Sequence, residues 1–134
     1  SATAGINLRI SPGESIADTI EHVRRAIRDD TLTISVIDAH EPSPISPWDS
    51  DAFALISDTI AADFPDVVVA PYVLMAATDS RFFHSISDNV YRHAPFRMTK
   101  QQRETIHAHD ERIGLDDFAD GVLWYQHLIE RLPA

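Results

Sequence analysis

The sequence contains no cysteine. Disulfides, thiol catalysis and cysteine-ligated zinc are therefore excluded. Glycine is scarce, at four residues in 134. No GxGxxG, Walker or GxSxG pattern occurs, so a nucleotide cradle and a hydrolase nucleophile elbow have no support. Basic residues are few: 11 Lys and Arg stand against 21 Asp and Glu, a formal charge of −10. Nucleic acid as a partner is disfavoured, because phosphate binding needs a basic face. Anionic membrane surfaces are disfavoured for the same reason. The longest apolar run, Val67 to Ala77, is interrupted by Pro71. It is shorter than the roughly 20 residues that cross a bilayer. The opening Ser1-Ala-Thr-Ala-Gly has neither the basic nor the apolar region of a secretion signal. A cytoplasmic location is the expectation. The first residue is not Met, which suggests a processed chain or a piece of a longer one.

What is present is ordinary for a folded chain, with 44% hydrophobic residues. Ile6, Leu8 and Ile10 alternate, which predicts a strand over 3–10, stopped by Pro12-Gly13. Ser15, with Asp18 three residues on, is placed to cap a helix over 15–29. Ile16, Ile20, Val23 and Ile27 would form its apolar stripe. Leu32, Ile34 and Val36 alternate again as a second strand. Glu41 to Pro47 holds three prolines and reads as a linker. Asp49 or Ser50 caps a second helix that Pro65 closes. The Val-rich stretch 67–75 reads as a strand buried on both faces. Residues 78–100 read as loop, and 101–107 as a short turn of helix. A terminal helix from Asp116 carries Phe118, Val122, Tyr125, Ile129 and Leu132 at alternating spacings of four and three.

Two segments could carry chemistry. Thr78-Asp79-Ser80-Arg81 directly follows the apolar stretch, where α/β sheets place their ligand crevice. Arg81 offers a planar fork suited to a carboxylate. A capped turn with a surface Arg is the alternative. Ile106-His107-Ala108-His109-Asp110-Glu111-Arg112 gathers two imidazoles and two carboxylates. All are zinc ligand types, but a site needs three or four that converge. A polar loop before the last helix is the alternative. Among the other five histidines, His22 and His127 fall on helix surfaces, and His40, His84 and His93 read as exposed loop residues.

The order of motifs adds a resemblance. Ile6-Asn-Leu-Arg-Ile-Ser-Pro-Gly-Glu-Ser15 is followed by Pro42-Ser-Pro, Phe64-Pro65 and Val69-Ala-Pro-Tyr-Val. Then come Thr78-Asp-Ser-Arg81, Val90-Tyr-Arg-His-Ala-Pro95 and Ile106-His-x-x-Asp-Glu-Arg-Ile113. This succession resembles the C-terminal portion of the zinc aminoacylase/carboxypeptidase family of metallopeptidases, in its carboxypeptidase S (Gly-X carboxypeptidase) branch. The resemblance implies an α/β fold. Residues 1–47 would be the strand–helix–strand half of an antiparallel lid, or dimerisation, sheet. Residues 48–134 would be the C-terminal part of an α/β catalytic domain. It also implies hydrolysis of amide bonds in N-acyl amino acids or short peptides, with two zinc ions in the full-length parent. His107 would be the one metal ligand in this chain, with Glu111 orienting it. Thr78, Asp79, Ser80 and Arg81 would face the substrate, and Arg9 would add a second contact to its carboxylate. Ala108 and Asp110 stand where the family has Gly and Asn, and Ala77 replaces the Gly of its Gly-Thr-Asp loop. The other ligands and the general base have no counterpart here, so the chain by itself is expected to be inactive. The partner would be a second copy or the remainder of a parent chain. The competing reading is a non-catalytic α/β oligomerisation module, pairing through open strand edges.

Overall fold

The computed structural model describes residues 1–74 and 76–133. Among them are four α-helices and one 3-10 helix: α1 (Ile16–Ile27), α2 (Asp51–Asp63), the 3-10 helix (Asp79–Ser85), α3 (Lys100–Arg103) and α4 (Leu115–Glu130). None forms a strand. The α/β expectation, with its antiparallel lid sheet, is overturned. Segments 3–10, 32–36 and 67–74 carry the alternating or continuous apolar patterns of strands but run without partners. Met75, the last residue of the third expected strand, lies outside the described residues. A strand is made by its ladder, and an apolar pattern only says which face would be covered once the ladder exists. Among the described residues, the backbone–backbone bonds outside the helices span four residues or fewer.

The helices arise where their caps predict. Ser15 caps α1, its hydroxyl accepting from the Asp18 N–H at 3.1 Å. Asp18 returns a bond from the Ser15 N–H at 3.2 Å, closing a capping box. Glu41 also accepts from the Ile16 N–H at 3.1 Å, setting a carboxylate at the positive end of the helix. Ser50 caps α2, accepting from the Phe53 N–H at 3.2 Å. Its hydroxyl also meets the Tyr91 hydroxyl at 2.6 Å, and Tyr91 donates to the Pro47 carbonyl. These bonds tie the segment around residue 91 to the start of α2.

The chain divides into two compact units: Ser1–Ile45 with Met75–Asp88, and Ser46–Leu74 with Asn89–Ala134. The first holds α1 and the 3-10 helix. None of the residues of α1 is fully buried. The second holds the core, made of Ile60, Phe64 and Trp124 and flanked by Ile56, Val69 and Leu128. It lies between α2 and α4. Gly121 lets residues 95–96 approach α4. A Cβ there would overlap the Phe96 ring and sit 3.1 Å from the Pro95 carbonyl. At the far end, the His127 Nδ1 lies 2.9 Å from both Asp63 oxygens. Arg131 donates to the fully buried Thr59 hydroxyl at 3.2 Å. Arg97 bridges Asp66, at 2.7 Å, and the face of Phe64. The hydrogen bond from Arg97 holds the Asp66 carboxyl below its ordinary pKa.

Candidate functional site

The first candidate belongs to the unit that carries α1. Thr78 is extended and caps the 3-10 helix, accepting from the Ser80 N–H at 3.2 Å. Its hydroxyl also lies against that of Ser80. Thr-x-Ser is a hydroxyl-capped turn, and the backbone bond from the Arg81 N–H to the Thr78 carbonyl continues it. So Thr78, Asp79, Ser80 and Arg81 form one tight turn where a loop was expected. Arg81 lies half-buried, its guanidinium carbon 4.7 Å from the centre of the Phe82 ring. The Arg81 Nε is buried and has no hydrogen-bond partner. His84 is in the same condition at Nε2. In a 3-10 helix residues i and i+3 lie on one face, so His84 shares the face of Arg81. The signal for His84 was the Thr78 cap: once a helix starts there, the spacing of three follows. Arg9 lies exposed in segment 3–10 of the same unit.

The second candidate belongs to the unit of α2 and α4. His107 is exposed and has a left-handed backbone, with φ of 66°. Only Arg28, among the other described non-glycine residues, has a positive φ. Left-handed backbone costs a side-chain-bearing residue about 1–3 kcal/mol and needs support from its surroundings. Glu111 gives it: its carboxylate accepts from the His107 N–H at 3.2 Å. The carboxylate thus holds the main chain of His107. Asp110 is engaged by Arg112 at 2.6 Å. His109 is exposed. His93 is an exposed loop residue, as expected, and its ring also packs against Trp124 with ring centres 4.8 Å apart. Partial burial there lowers its pKa below the ordinary imidazole value.

The donor chemistry sets what metal this chain could hold. No group of three or more His, Asp or Glu among the described residues is arranged to bind a metal ion. With Glu111 and Asp110 engaged, the 106–112 segment offers two exposed imidazoles, His107 and His109. Two imidazoles do not fit a zinc centre, which needs three or four convergent ligands. No helix among the described residues is long and apolar enough to cross a membrane.

Comparison with known proteins gives a consistent result. The pattern of peptidase family M20/M25/M40 matches residues 3–131. The chain is 40% identical over 130 residues to probable carboxypeptidase S-like 2 of Dictyostelium discoideum, covering 96% of this chain and 25% of that protein. It is 34% identical over 130 residues to probable carboxypeptidase S-like 1 of the same organism, covering 96% and 27%. It is 31% identical over 132 residues to the N-fatty-acyl-amino acid synthase/hydrolase PM20D1 of Mus musculus, covering 96% and 26%. The chain spans about a quarter of the length of these relatives. No solved structure matches.

Proposed function

The chain belongs to peptidase family M20/M25/M40, and on that premise we propose that it is the part of an amide hydrolase that recognises the free carboxylate of the substrate. The substrates are N-acyl amino acids or short peptides. The printed names of the relatives, carboxypeptidase S-like and N-fatty-acyl-amino acid hydrolase, support that class. One observation carries the reading: the Thr78–Arg81 turn holds a half-buried guanidinium whose Nε has no partner. A carboxylate is the group whose geometry fits such a fork. Arg9 adds a second positive charge in the same unit. His107 offers its imidazole to a zinc whose remaining ligands lie on another part of the parent. The family resemblance supports a zinc-dependent parent, and two ions are part of this proposal. Residues 1–47 belong to its smaller domain and 48–134 to its catalytic domain, divided at the proline-rich segment. By itself the chain has no general base and no complete ligand set, and it does not turn over substrate.

The test is an exchange chimera: the full-length Dictyostelium carboxypeptidase S-like 2 with its matched segment replaced by this chain. A hydrolytic chimera supports the reading. A folded, inert one, beside an active parent, overturns it in favour of a non-catalytic module.

Arg81→Lys in this chimera gives a sharper prediction. Hydrogen bonds to a charged group are worth about 1.5–3 kcal/mol each. A lysine cannot reproduce the two parallel bonds of the fork. The value of kcat/KM on an N-acyl amino acid should therefore fall about tenfold or more. The same substrate with its carboxylate blocked as an amide should lose far less, because it never used the fork. Equal losses on both would make Arg81 structural.

A further inference from the structure

The 3-10 helix turns polar side chains inward and apolar ones outward. Phe82 and Phe83 are 57% and 58% exposed, while Arg81 and His84 are half-buried. A surface helix normally hides its apolar side chains and leaves its polar ones in water. The sequence reads His84 as an exposed loop residue, and its partial burial follows from the helix that Thr78 starts. Four buried side-chain polar atoms among the described residues have no hydrogen-bond partner, and two of them, the Arg81 Nε and the His84 Nε2, belong to this one short helix. A buried polar atom left unpaired costs the full loss of its hydration. Two such atoms together mark a place that a polar group from outside the helix would complete.

The chemistry of the two nitrogens says what that group is. The Nε of an arginine can only donate. The Nε2 of an imidazole donates in the charged form and in one of the two neutral tautomers. Two donors on one face, one of them on a permanent cation, call for an anion with two acceptor oxygens. The spacing agrees. Residues i and i+3 of a 3-10 helix share a face and are separated by a rise of about 6 Å. A carboxylate with one oxygen turned to each nitrogen covers that distance, since charged hydrogen bonds are about 2.7–2.9 Å long. A carboxamide does not serve as well. It replaces one acceptor oxygen with an NH2 group, which would face a donor.

We propose that His84 shares the free carboxylate of the substrate with Arg81, its Nε2–H bonding one oxygen while the Arg81 guanidinium holds the other. The inference rests on the carboxylate reading of Arg81 above, and it makes His84 a residue that selects free acids. Three substitutions in the exchange chimera test it. Glutamine places an amide nitrogen near the position of the imidazole Nε2, and asparagine places one near Nδ1. His84→Ala and His84→Asn should raise KM for an N-acyl amino acid about tenfold. The value of kcat should change little, because the lost bond is already made with bound substrate. His84→Gln should recover most of the loss. The same substrate blocked as its carboxamide should respond far less. Equal losses on the two substrates, or a glutamine no better than asparagine, overturn the inference and make His84 structural. An acid-selective loss in Arg81→Lys with none in His84→Ala also overturns it, while the carboxylate reading of Arg81 stands. If the chimera is inert or does not fold, the free chain decides. The nuclear magnetic resonance signal of the His84 ring, assigned by its loss in His84→Gln, should move with N-acetylalanine and stay still with N-acetylalaninamide. That movement beside a folded, inert chimera sinks the hydrolase reading and keeps the carboxylate site. A His84 signal that responds to neither compound, or to both alike, overturns the inference.

Discussion

Trp124→Ala is expected to abolish cooperative folding of the unit that holds α2 and α4. Trp124 is 2% exposed and, with Ile60 and Phe64, is one of three buried apolar residues of the core among the described residues. Removing a buried aromatic side chain costs about 3–5 kcal/mol, part lost transfer energy and part cavity. An ordinary domain holds only about 5–15 kcal/mol in total, and so small a core places this unit at the low end. His93 would also lose the ring it packs against. Thermal denaturation followed by far-ultraviolet circular dichroism reads the effect. Trp124→Phe is the control. It keeps an aromatic ring and removes an indole N–H that is buried without a partner, so it should cost much less than alanine. A midpoint for Trp124→Ala within about 4 °C of the native chain would mean that the core lies elsewhere.

The second large effect is at His107. In the exchange chimera, His107→Ala should lower kcat at least about 100-fold with little change in KM, since the partners that merely orient a metal ligand already cost 10–100-fold. Zinc content per polypeptide should fall with it. The backbone supplies the control for misfolding. With φ at 66°, alanine keeps the left-handed strain and glycine relieves it. His107→Gly should therefore be as inactive as His107→Ala while unfolding at a higher temperature. If both variants retain near-native turnover, His107 is not a ligand.

The helices were legible because their signals are local. Ser15 and Asp18 stand three residues apart and close their own box, and Ser50 caps α2 from within its first turn. The strands were not, because an alternating pattern is local but a ladder is not. Ile6, Leu8, Leu32 and Val36 have the right period and remain exposed. Helix α4 teaches the same lesson from the other side. The strongest periodicity in the sequence marks a stripe that stays exposed, while the buried contact runs through Trp124, which lies off that stripe. The pairing of His127 with Asp63 joins residues 64 apart in sequence, and nothing in the helix pattern announces it. At the candidate site the residue types were readable and their geometry was not. That Thr78 starts a helix follows from its hydroxyl bond. That Glu111 grips the backbone of His107 depends on a left-handed turn which no spacing encodes.

We propose that this chain is one indispensable part of an M20 amide hydrolase and does not catalyse by itself. Hydrolysis of an N-acyl amino acid with excess zinc, measured for the free chain and for the exchange chimera side by side, tests it most directly. The chimera should turn over the substrate, and the free chain should not exceed the rate with zinc alone. Zinc-dependent turnover by the free chain, or a folded chimera without any, would contradict it.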